Sequence, residues 1–198
     1  MSRIVHVVGT GTIGEPLIGL LCHFKEKLGI DEVTFNKRSP LFTDRSKVKT
    51  LLDRGAKLST SQEAMSGFEK LGLKAEFETR EAIERSAVVI DCTPSGAGLA
   101  NKSEFYESAS SVKGFIAQGS EFGFGKMYAR GINDEALVPG EDRFLHVVSC
   151  NTHNLAAISR PLRWKMVVNR KTLSLQTSFA CAGPMTSVRM PASHLHPR

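Results

Sequence analysis

From Arg143 to its end, a stretch of 56 residues, the chain contains not one aspartate or glutamate. That stretch holds eight basic residues, whereas residues 1–142 hold 18 basic and 20 acidic ones, a balance of −2 in a chain of net charge +6. The front of the molecule is therefore near neutral, and the basicity belongs to the end. That end lacks the dense Lys/Arg clusters and interleaved aromatics of a nucleic-acid binder, so no nucleic-acid partner is expected. Long apolar runs are missing too, which excludes a membrane-spanning helix of the usual length and any membrane role resting on one. Ser2-Arg3-Ile4-Val5 leads straight into a strand pattern without secretory-leader anatomy. The four cysteines, Cys22, Cys92, Cys150 and Cys181, form neither a CxxC pair nor a disulfide framework. A reducing, cytoplasmic setting is expected from this. No His/Cys/Asp cluster has zinc spacing, and no metal is expected.

What is present is alternation, with 41% hydrophobic residues to build a core. Residues 3–8 (RIVHVV) suit a buried parallel strand. A helix from Ile13 to Leu28 follows, with Leu17, Leu20, Leu21, Phe24 and Leu28 at helical spacing, stopped by Gly29. Further strands are expected at 32–36, 56–59, 73–77, 87–91 and 114–117, and one ending at Val148. Helices are expected at 44–52, 62–71, 79–84 (capped by Thr79) and 99–110. Repeated β-α-β-α with short connections implies an α/β, Rossmann-type, doubly wound and mostly parallel sheet. Residues 1–148 read as a dinucleotide-binding domain, and 149–198 as the start of an incomplete second domain or an irregular tail. In such a sheet ligands bind beyond the carboxyl ends of the strands. The loops 9–14, 36–39, 91–95 and 118–120, with Thr93 in the third, therefore gather on one edge.

Gly9-Thr10-Gly11-Thr12-Ile13-Gly14 is a GxGxxG between a strand and a helix. The first glycine permits the turn, the second admits a pyrophosphate, and the third lets helix and strand pack closely. The N–H groups at the helix start then face the phosphates. The loop after the second strand, Asn36-Lys37-Arg38-Ser39, carries no acid to hold a ribose and two cations to attract a 2′-phosphate. The expected cofactor is NADP or NAD, with NADP accepted.

Residues 143–152, RFLHVVSCNT, end a strand and open a helix at the cysteine. The helix dipole lowers the pKa of a thiol in that position, and the thiolate could attack an aldehyde before hydride passes to a nicotinamide. A buried, inert Cys150 fits the same spacing.

GTGTIG at 9–14, DCTPSGAGLANKSEFY at 91–106, IAQGSE at 116–121 and VVSCNT at 147–152 occur in one order over residues 3–158. Together they resemble the archaeal-type, or type II, phosphorylating glyceraldehyde-3-phosphate dehydrogenases. The resemblance implies that Thr12 and Ile13 contact the dinucleotide and that Gly119 and Ser120 lie beside it. It implies that Cys150 is the nucleophile, that Ser149 and Asn151 hold the substrate, and that Thr152 stands near a phosphate. The implied partners are a phosphorylated aldehyde and inorganic phosphate, compatible with a homo-oligomer. A cysteine-dependent semialdehyde dehydrogenase and a non-catalytic dinucleotide-binding module are the alternatives. Two departures stand out: Ser120 replaces the second of a glycine pair, and His153-Asn154 replaces Thr-Gly after SCNT. His153 reads as a polar surface residue rather than a base for Cys150. The family's histidine base and second domain have no counterpart in 160–198, and truncation or a change of reading frame is the expected origin of that tail.

Overall fold

The computed structural model describes residues 2–163 of the chain. The described residues up to His153 make one compact unit, and a second begins at Asn154. Cys181 and the tail beyond Arg163, whose expected origin is truncation or a change of reading frame, lie outside the described residues.

Among the described residues, eight strands make one sheet: β1 (Ile4–Val8), β2 (Glu32–Asn36), β3 (Lys57–Thr60), β4 (Ala75–Glu78), β5 (Val88–Asp91), β6 (Gly114–Gly119), β7 (Lys126–Tyr128) and β8 (Phe144–Val148). Their order is β4-β3-β2-β1-β5-β6-β8-β7. All neighbouring pairs are parallel. The order reverses at β1, which has β2 on one side and β5 on the other. This is the switch point of a doubly wound fold, where a crevice opens beyond the strand ends. Consecutive residues of a strand face opposite sides of a sheet. Accordingly Val7 joins one core cluster, with Ile18, Phe35, Leu51, Leu58 and Phe68. Val8 joins the other, with Ile83, Val89, Tyr106, Phe115 and Phe124.

The helices are α1 (Gly14–His23), α2 (Lys25–Leu28), α3 (Arg45–Asp53), α4 (Gln62–Lys70), α5 (Thr79–Glu84), α6 (Ala97–Asn101) and α7 (Cys150–Arg163). Three of them differ from the sequence expectation. The helix expected over 13–28 is two, divided at Phe24, whose φ of −98° and ψ of 11° leave the helical basin. One residue out of helical geometry leaves the apolar spacing intact, so periodicity does not register it. Thr79 is not the cap of α5. The Glu78 carboxylate accepts the N–H groups of Arg80 (2.8 Å) and Glu81 (3.3 Å), and Thr79 is the first helical residue. The helix expected over 99–110 stops early: α6 runs into one π-helical turn, Lys102–Tyr106. Sequence reading also passes over β7, which is three residues long and has no apolar run.

Candidate functional site

The carboxyl ends of β2, β1, β5, β6 and β8 stand side by side, and their loops make up the candidate site. Val8 is in register with both Asn36 and Asp91, so β1, β2 and β5 end level. β6 and β8 run further: Asp91 pairs with Ala117, while Gly119 pairs with Val148. At about 3.3 Å per residue this raises Gly119 and Val148 roughly 7 Å above the level of Asp91. The glycine loop after β1 therefore lies at the foot of a step whose top carries Gly119, Ser120, Ser149 and Cys150. Three strand spacings, roughly 14 Å, separate β1 from β8.

Three glycines in the first loop have three separate roles. Gly9 has φ 94°, and a Cβ there would lie 3.1 Å from the Cys92 carbonyl oxygen, across the switch point. Gly14 opens α1 directly against the Gly9 carbonyl, which leaves no room for a side chain. Among the described residues, no atom beyond its chain neighbours lies within 4 Å of where a Gly11 Cβ would stand. Packing thus accounts for Gly9 and Gly14 but not for Gly11. Thr12 and Ile13 are exposed beside it, and no side chain caps α1. An open approach at Gly11, with uncapped helical N–H groups next to it, fits a pyrophosphate.

The loop after β5 is built on Asp91, which is 2% exposed. Its carboxylate accepts the Thr93 N–H (2.9 Å) and hydroxyl, the Asn101 amide (2.8 Å) and the Tyr106 hydroxyl (2.6 Å). Asn101 and Tyr106 are five apart, a spacing that splays residues on an α-helix. The π-helical turn between them brings both onto one carboxylate. Glu121, also 2% exposed, accepts the N–H groups of Gly96 (2.6 Å) and Leu99 (3.2 Å). The start of α6 is therefore already occupied by the protein's own carboxylate. Thr93 and Ser120 both border the step, and Ser95 donates to the Ser120 carbonyl (3.2 Å). Buried His146 donates from Nε2 to the Gly119 carbonyl (2.9 Å) and steadies the top of β6. Sequence reasoning passed over Asp91, Asn101, Tyr106, Glu121 and His146 as site-builders. The signal available for four of them was their occurrence in the DCTPSGAGLANKSEFY and IAQGSE stretches.

Cys150 is exposed and is the first residue of α7. Of the two readings left open for it, burial does not hold. The buried thiol is Cys92, which desolvation and then the Asp91 charge push up to about 12; burial also raises Cys22. Ser149 caps α7: its Oγ accepts the Thr152 N–H (3.3 Å) and lies 3.0 Å from the Thr152 hydroxyl. Asn151 is exposed. His153 donates from Nε2 to the Arg130 carbonyl (3.1 Å), in keeping with a polar surface role.

After β2, Asn36 donates to the Thr79 hydroxyl (2.9 Å). Lys37 does not stand free as sequence suggested. Its ammonium is bound to the Asp44 carboxylate at 2.5 Å and holds that carboxyl below the usual range. Arg38 is exposed and borders a cleft of about 270 Å³ with Asn36, Ser61, Thr79 and Glu104. Among the described residues no group of three His, Cys, Asp or Glu is placed to hold a metal ion. None of their helices is long and apolar enough to cross a membrane.

No protein-family model matches the chain. Curated relatives do. A glyceraldehyde-3-phosphate dehydrogenase of Methanobacterium bryantii is 31% identical over 81% of this chain and 45% of its own length. One of Methanococcoides burtonii is 32% identical over 92% of this chain and 52% of its own. One of Pyrococcus furiosus is 34% identical over 49% of this chain and 28% of its own. The resemblance read from the sequence holds, and the chain spans about half the length of the curated relatives it matches.

Proposed function

We propose that this chain, similar over most of its length to archaeal-type glyceraldehyde-3-phosphate dehydrogenases, is the dinucleotide-holding part of an oxidoreductase that forms an acyl phosphate from a phosphorylated aldehyde. The observation that carries the reading is the exposed Cys150 at the top of a step whose foot is the glycine loop. Gly9, Gly11, Thr12, Ile13 and Gly14 would hold the pyrophosphate, with Asn36 and Arg38 toward the far ribose and Lys37 beside them, paired with Asp44. Thr93, Gly119 and Ser120 would line the path to the cysteine. The proposed group is NADP or NAD, which when bound supplies a hydride acceptor. Cys150 Sγ would bond to the aldehyde carbon of glyceraldehyde 3-phosphate and hold it as a covalent adduct. Asn151, exposed beside it, would hold the substrate. Ser149 would act mainly by keeping α7 wound so that Cys150 stays at its first turn, and Thr152 would lie toward the phosphate. Inorganic phosphate would release the acyl group. Described cysteines Cys22, Cys92 and Cys150 are free thiols, which suits the proposed cytoplasmic setting.

Alkylation tests this without requiring turnover. On treatment with iodoacetamide at neutral pH and peptide mapping, Cys150 should be modified well ahead of Cys22 and Cys92. Glyceraldehyde 3-phosphate should slow that modification. A Cys150 no faster than Cys92, or a rate indifferent to the aldehyde, would refute the catalytic reading.

A further inference from the structure

The geometry points to Asp44 as the residue that sets how strongly the chain favours a dinucleotide bearing a 2′-phosphate, by holding the Lys37 ammonium away from it. The inference rests on the dinucleotide reading above and deepens it. Lys37 and Arg38 are adjacent in sequence and look equivalent, two cations where a ribose phosphate would arrive. The fold separates them. The backbone of Lys37 is fixed on both sides: its N–H donates to the Ser59 carbonyl (3.1 Å) and its carbonyl accepts the Thr60 hydroxyl (2.8 Å). Its side chain then runs to Asp44, at the start of α3, and both side chains are largely shielded, 17% and 25% exposed. Lys37 is not among the residues bordering the cleft, and Arg38 is.

The charges around that cleft make the separation matter. Its bordering residues include one cation, Arg38, and two acids, Glu78 and Glu104. Glu78 is engaged by the first N–H groups of α5, and Arg80 lies over the Phe105 ring at 5.5 Å. A 2′-phosphate carries more than one negative charge near neutral pH. It gains from each cation it meets and loses from each carboxylate. With Asp44 ionised, Lys37 contributes almost no net positive charge. Without that carboxylate, the same ammonium becomes a second phosphate ligand beside Arg38. Asp44 thus works as an internal competitor for the anion, and it tempers selectivity for NADP over NAD although no acid follows β2 directly.

Asp44 makes no hydrogen bond that caps α3, so asparagine at this position keeps the helix start. The test is fluorescence titration of the full chain with NADH and with NADPH, for wild type, Asp44→Asn and Arg38→Ala, with circular dichroism to check folding. Asp44→Asn should raise the preference for NADPH over NADH by about tenfold, and Arg38→Ala should lower it by about as much. A preference that stays within about twofold of wild type in Asp44→Asn overturns the inference while leaving dinucleotide binding intact. A wild-type chain that saturates with neither nucleotide overturns the dinucleotide reading and this inference with it. If Arg38→Ala leaves the preference unchanged, Arg38 is not the remaining ligand and the division between the two cations is wrong.

Discussion

Gly14 stands against the carbonyl oxygen of Gly9 with no space for a Cβ between them. The contact joins the end of β1 to the start of α1 and is made by backbone on both sides, so no rotamer change can relieve it. Gly14→Ala should therefore destabilise the described domain by about 3 kcal/mol, at the upper end of overpacking effects. For a domain of this size that is a fall of roughly 10 °C in Tm. Differential scanning calorimetry checks it, and an unchanged Tm would mean that α1 can move away from the strand.

Asp91 holds the loop after β5 through donors from Thr93, Asn101 and Tyr106. Tyr106→Phe removes one buried charge-assisted bond and little volume, and should cost about 1–2 kcal/mol. Asp91→Asn replaces an acceptor of four donors by a group that must donate in part, and should cost about 3 kcal/mol. Urea unfolding of both variants measures this order. Equal small effects would show that the carboxylate is not the hub of the loop.

His6 lies fully buried on β1, with Nδ1 2.7 Å from the Thr34 hydroxyl, and burial lowers its pKa from 6.5 to about 3. The unfolded chain takes up a proton below pH 6.5 that the native chain refuses. Stability is therefore full above that pH and is lost as pH falls toward 3. At pH 5 the loss from this one group is about 2 kcal/mol relative to pH 7. His6→Asn should flatten the pH dependence of unfolding over this range. A wild-type curve equally flat from pH 7 to 5 would contradict a neutral buried imidazole.

Much of the sheet was legible because buried parallel strands read as short β-branched runs, as in RIVHVV and AVVID, and glycines punctuate them. The strand edge carrying the loops followed from the alternation alone. What stayed hidden was interaction across the fold. Nothing in the spacing of Lys37 and Asp44 announces an ion pair, so Lys37 read as a free cation. Asn101 and Tyr106 read as part of one long helix, because a π-helical turn leaves no compositional mark. Glu78 lost the cap to Thr79 in the sequence reading because hydroxyl caps are common, yet its longer carboxylate reaches two N–H groups. The start of a helix singles out Cys150 in the sequence, and what the sequence does not show is the depth of Cys92, whose burial keeps that thiol protonated.

Gly11 tests the central claim most directly, because nothing in the packing of the described residues calls for a glycine there. Its φ is not positive, and a Cβ would meet open space. Gly11→Ala should leave Tm unchanged or slightly raised, by the equivalent of about 0.5 kcal/mol. The measurement is NADPH and NADH affinity of wild type and Gly11→Ala by fluorescence titration. The account predicts saturable binding to wild type and a loss of about tenfold or more in the variant, as the added methyl group blocks the approach of the pyrophosphate. Equal affinities in the two proteins, or no saturation of either at millimolar nucleotide, would contradict it.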